Sequence, residues 1–158
     1  MHALTIHYPL TVYFDGSCPL CTHEVQLLKR YDVQSNLQFT DCSAESFAEI
    51  EGYSRKAMMT LIHAQDAKGQ WLIGAPVFAA AYQACGFAAI ARLWGNAYLQ
   101  PLWAIVYPWI ARNRRWLSRL GASRALSWVL QILHAHAAKG SLARTQACAQ
   151  KKCEIPKR

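Results

Sequence analysis

Leu10-Thr11-Val12-Tyr13-Phe14-Asp15-Gly16-Ser17-Cys18-Pro19-Leu20-Cys21 is the stretch that decides how the rest of the chain reads. Its first five residues are β-branched or aromatic and end at Asp15-Gly16, which predicts a strand stopping at a turn. Pro19 suits the first position of a helix, where its missing N–H leaves nothing unsatisfied, so Cys18 falls at the N-cap. The apolar-periodic segment runs on to about Tyr31, and Val25 and Leu28 continue one stripe of it toward a core, leaving the helix N-terminus at the surface.

Leu37-Gln38-Phe39-Thr40 reads as a second short strand, and Ser43 to about Gly52 as a second helix with Ser43 as its cap. Met58 to Ala64 predicts a third strand, turned back by Asp66-Ala67-Lys68-Gly69 into Gln70-Trp71-Leu72-Ile73 as a hairpin. Pro76 then starts an Ala-rich helix ending near Cys85-Gly86. The order β-α-β-α-β-β-α belongs to a two-layer α/β fold. From Phe87 the pattern is helical only: 87–94, 99–107 and 109–120, punctuated by Gly95, Pro101 and Pro108, then 123–138. The expected division is an α/β core over 8–88, a helical extension packed on it over 89–138, and a basic, flexible tail over 139–158.

A chain of 158 residues is long enough to bury a core without disulfide staples, and 53% hydrophobic residues are too many for a disordered chain. Charge is split: residues 1–86 carry a net −3 and residues 87–158 a net +11, with Glu154 the one acid after Asp66. Arg112, Arg114, Arg115, Arg119 and Arg124 interleave with Trp109, Trp116, Leu120 and Trp128. Such a segment either lies on an anionic surface or packs its Trp face on the sheet. No nucleic-acid motif accompanies it, so nucleic acid is not an expected partner. Leu93 to Ala111 is free of formal charge but holds Gly95, Asn96, Gln100, Pro101 and Pro108, which argues against a membrane span. Residues 1–9 lack the basic and apolar regions of a secretory signal, and a cytoplasmic location is expected.

The Cys-x-x-Cys carries the chemistry. Unpaired N–H groups and the positive end of the dipole at a helix N-terminus stabilise a thiolate. Three residues on, Cys21 lies about 60° around the helix, near enough to close a disulfide. Cys18 is thus the expected nucleophile and Cys21 the resolving thiol. The competing reading is half of a zinc site, with Cys42 as a third ligand and His134, His136, Cys148 or Cys153 as a fourth, although none sits at the usual spacing. Cys42 otherwise reads as a buried small residue or a third thiol, Cys85 as packing, Cys148 and Cys153 as exposed thiols, and His23 as a surface residue. Asp15, before a glycine, reads first as a turn residue bonding its own backbone.

Tyr13-Phe14-Asp15-Gly16-Ser17-Cys18-Pro19-Leu20-Cys21 resembles the opening signature of the DCC-family thiol-disulfide oxidoreductases. Further on, Asp66, Gly69, Gly74-Ala75, Tyr107, Ile110-Ala111 and Asn113-Arg114 are similar to the family's later segments, the last five as Y-x-x-I-A-x-N-R. The resemblance covers roughly residues 10–120. It implies a thioredoxin-like fold with Cys18 and Cys21 as the redox pair and Asp15 beside them, a carboxylate able to relay the proton of Cys21. It also shows a departure from thioredoxin: 52–57, before the third strand, contains no proline to grip substrate backbone.

The expected activity is thiol-disulfide exchange of the protein-disulfide reductase type, on a disulfide-containing protein or small-thiol substrate. With no nucleotide fingerprint, no cofactor is expected and electrons come from an external thiol or reductase. The alternative is a non-enzymatic thioredoxin-like module docking on a partner, or peripherally on an anionic membrane, through the Trp/Arg helices.

Overall fold

The computed structural model describes residues 5–50 and 52–121, together with the single positions 128 and 132. Strand β1 (Leu10–Phe14) leads into helix α1 (Pro19–Tyr31) and strand β2 (Leu37–Asp41). Helix α2 (Arg55–Thr60) precedes the hairpin of β3 (His63–Gln65) and β4 (Trp71–Ile73), followed by α3 (Ala75–Ala84). Helix α4 (Ala88–Gly95), a 3-10 turn (Ala97–Leu99) and a long α5 (Gln100–Arg119) complete the described chain. This is a thioredoxin-like α/β fold carrying additional C-terminal helix.

The sheet order is β2-β1-β3-β4, with β1 parallel to β2 and antiparallel to β3. Leu10 pairs with Leu37 and Phe14 with Asp41, so β1 and β2 end side by side. That register brings the turn before Cys18 next to the segment after Asp41. As the inner strand, β1 is covered on both faces: Leu10 and Val12 are fully buried on one, and Tyr13 meets Cys42 and Met58 on the other. Val25 and Leu28 of α1 are buried, as their stripe requires.

Three expectations are corrected. Residues 43–50 do not form a helix, because the Asp41 carboxylate takes both the amide and the hydroxyl of Ser43, at 2.7 Å each. The cap is instead Ser54, whose hydroxyl accepts the Ala57 N–H at 3.2 Å, so Met58-Met59-Thr60 lies in α2 and the third strand begins only at His63. An apolar run this short fits helix or strand equally, and the cap decides. Lastly, Pro108 does not separate two helices but lies inside α5. It deprives the Ala104 carbonyl of its helical partner, and Ala104 is on the exposed side of α5. The expected helix over 123–138 and tail over 139–158 lie outside the described residues.

Helices α1 and α3 are joined by a buried polar contact, in which the Tyr82 hydroxyl donates to Glu24. Burial pushes the Glu24 carboxyl up from its ordinary 4.5 to about 7, against the pull of the Tyr82 bond. The folded protein therefore holds a proton that the unfolded chain has lost between pH 4.5 and 7, so stability falls across that window. Glu24→Gln keeps the acceptor without the charge. Its advantage over wild type in urea unfolding should grow from near zero at pH 4.5 to roughly 3 kcal/mol at pH 8. An advantage unchanged over that range would contradict the assignment.

Candidate functional site

The turn between β1 and α1 is built on two carboxylates. Asp15 is 2% exposed and accepts the Ser17 amide at 3.0 Å and its hydroxyl at 2.6 Å, while the Cys18 amide donates to the Asp15 carbonyl at 3.2 Å. Asp41 reaches across from the end of β2 to accept the Gly16 amide at 2.9 Å. A Cβ on Gly16 would collide with that carboxylate, so glycine is required here by close approach.

Cys18 is the N-cap of α1 in extended conformation, with φ −95° and ψ 115°. The Cys21 thiol beside it pulls its pKa down to about 6, helped by the Cys21 amide, the Arg114 charge and the Leu20 amide and opposed by burial. Cys21 moves the other way. It is the donor to Cys18, is itself partly buried, and faces the Cys18 and Asp15 charges. The two shifts run in opposite directions, the surroundings favouring the thiolate on Cys18 and the thiol on Cys21. Both sulfurs are free thiols in this structure.

The exposure of the two differs from expectation. Ser17 and Pro19 are exposed, so the helix end lies at the surface, yet Cys18 itself has no exposure and Cys21 is half-buried. Helix α5 packs against α1, and its Tyr107, Ala111 and Arg114, spaced to share one face, point inward. Arg114 ion-pairs with Asp15 and donates to the Met59 carbonyl at 2.6 Å. The Tyr107 hydroxyl accepts the Ile62 N–H at 2.9 Å, and the Ile62 carbonyl accepts the Gly74 N–H at 2.9 Å. Gly74 has φ +75°, a left-handed backbone conformation that favours glycine, and a Cβ there would meet the Tyr107 ring only at an ordinary contact distance of 3.4 Å.

Asn113 turns back to donate to the Trp109 carbonyl at 2.8 Å and does not reach the thiols. Trp109 and Trp116 are exposed, so the inward face of α5 is not the tryptophan face that the sequence offers. No helix among the described residues is long and apolar enough to cross a membrane.

Cys42 is buried with Tyr13 and Met58, and burial lifts its thiol to about 11. Burial likewise lifts Cys85 to about 12, and its thiol donates to the Leu28 carbonyl at 3.5 Å. Among the described cysteines only Cys18 is drawn toward the thiolate. His23 is half-buried rather than fully on the surface. No group of three metal-ligating side chains comes together among the described residues; His134, His136, Cys148 and Cys153 lie outside them. One site residue escaped the sequence reading: Asp41 looks like any strand-end acid. Arg114 is reached through its family pattern as a structural or site-flanking residue, with nothing local tying it to Asp15.

The family described as DCC1-like thiol-disulfide oxidoreductase matches residues 12–120. An uncharacterised, chloroplastic protein of Arabidopsis thaliana is 29% identical over 83 residues, or 51% of this chain and 39% of that protein. The chain thus spans about two fifths of that relative's length. No solved structure matches.

Proposed function

From the premise that the chain belongs to the DCC1-like thiol-disulfide oxidoreductase family, we propose that it exchanges disulfides through Cys18 and Cys21, with Cys18 as nucleophile. The observation that carries the reading is the convergence on the Cys18 sulfur of the Cys21 thiol, the amides of Leu20 and Cys21 and the Arg114 charge.

The Cys18 thiolate attacks one sulfur of a disulfide R–S–S–R, forming a Cys18–S–S–R bond and expelling RS⁻. Cys21 then loses its proton and attacks the Cys18 sulfur, expelling a second RS⁻ and closing the Cys18–Cys21 disulfide. Two electrons pass from the dithiol to the substrate, and an external thiol or dithiol returns them by the reverse steps. Asp15, whose charge acts on Cys21, is the carboxylate that takes the Cys21 proton in this reading, and Arg114 pairs with it. The electrons travel in thiols throughout, so the reading needs no cofactor. A cytoplasmic setting belongs to the same reading, since a reducing compartment keeps six cysteines available as thiols.

The test is oxidation of the fully reduced protein by bis(2-hydroxyethyl) disulfide, quenched and digested. One Cys18–Cys21 cross-linked peptide with two mercaptoethanol molecules released per protein is expected. Recovery of both cysteines as free thiols would overturn the reading.

A further inference from the structure

Beside the redox turn lies an open cleft of about 410 Å³, walled by residues of α2 and α5 and reaching Asp15. Its polar wall is almost wholly cationic: Lys56, Arg112, Arg114 and Arg115 line it, and Asp15 is the only acid. That one acid is already paired with Arg114. Lys56, Arg112 and Arg115 are exposed and have no acidic partner among the described residues, so about three positive charges face the cleft. Met59 and Ala111 give it an apolar patch. Its volume falls in the range of sites for small molecules.

We propose that this cleft binds the non-reacting part of an anionic, low-molecular-weight disulfide, and of the matching thiol, through carboxylate groups. The proposal rests on the disulfide-exchange reading above and names the substrate class of that site. Arginine side chains pair with carboxylates through two parallel hydrogen bonds, and a cationic cleft raises the local concentration of anions. The cleft reaches the redox turn through Asp15, whose backbone carbonyl accepts the Cys18 amide at 3.2 Å, and through Arg114, which pairs with Asp15.

A second observation favours a small molecule over a polypeptide. An extended peptide binds by pairing its backbone with free N–H and C=O groups. Immediately before β3, both polar groups of Ile62 are taken, one by Tyr107, which lies within electrostatic reach of Cys21, and one by Gly74.

The experiment uses the reduced full-length protein in single turnovers with three disulfides of similar size: dithiodiglycolate (dianionic), bis(2-hydroxyethyl) disulfide (neutral) and cystamine (dicationic). Each turnover converts the dithiol and one R–S–S–R to the protein disulfide and two R–SH, so no electron donor is needed. The rate constant for dithiodiglycolate should exceed that for the neutral disulfide by roughly tenfold or more, with cystamine slowest, and the preference should shrink in high salt. Lys56→Ala with Arg115→Ala should remove most of the preference, slowing dithiodiglycolate far more than the neutral disulfide. Arg30→Ala with Arg119→Ala, equal in charge but outside the cleft, should leave it intact. Equal rates for all three disulfides, or equal effects of the two double variants, would overturn the cleft assignment alone. No exchange with any of the three would overturn the redox reading itself.

Discussion

Cys18→Ser is expected to reduce disulfide exchange to background, a loss on the order of 10³-fold or more. Exchange requires a thiolate, and a serine hydroxyl stays protonated and forms no disulfide. The other described thiols are poor substitutes. Cys42 and Cys85 are held high by burial, and Cys21 keeps the raising influence of burial and of Asp15 after its partner is gone. Serine differs from cysteine by one atom, so thermal unfolding close to wild type should accompany the loss. A folded Cys18→Ser protein that kept more than a few per cent of the wild-type rate would place the nucleophile elsewhere.

The second large effect is expected at Arg114. Arg114→Met keeps the stem that packs under α5 but leaves the Asp15 carboxylate, 2% exposed, without its counter-charge. Breaking a buried pair from one side costs about 3–5 kcal/mol, and the 17% exposure of the Arg114 side chain sets the expectation at the lower end, about 3 kcal/mol. Arg114 also helps to lower the Cys18 pKa. The pH profile of iodoacetamide alkylation at Cys18, expected to have its midpoint near 6 in the wild type, should therefore shift to higher pH in the variant. Combining Arg114→Met with Asp15→Asn removes the stranded charge and should recover much of the stability without restoring the low midpoint. If the double variant is no more stable than the single, the Asp15–Arg114 pair is not what anchors α5.

The legible parts of the molecule were those set by neighbours in sequence. β1, the Asp15-Gly16 turn, the N-cap position of Cys18 and the hairpin turned by Asp66 to Gly69 each depend on a few adjacent residues. Asp15 bonds Ser17, as a turn acid does, but its ion pair lies 99 positions away. Contacts of that span leave no local trace. The second helix was misplaced for a related reason: Ser43 is a fair cap by type, yet Asp41 claims it, and Ser54 caps instead without an acid at the third helical position to mark it. Pro108 reads as a helix end, but the orientation of Ala104 toward solvent makes the missing bond tolerable. Nor does any spacing within either helix record the packing of α5 onto α1.

The central claim is that Cys18 attacks and Cys21 resolves, and a Cys21→Ser protein tests it most directly. Without the resolving thiol, the first step should proceed and then stop. Reaction of the reduced variant with a small disulfide should leave one stable mixed disulfide, which peptide mapping places on Cys18 and a dithiol reductant releases. An adduct on Cys42, Cys85, Cys148 or Cys153 with Cys18 left free, or no adduct at all, would contradict the account.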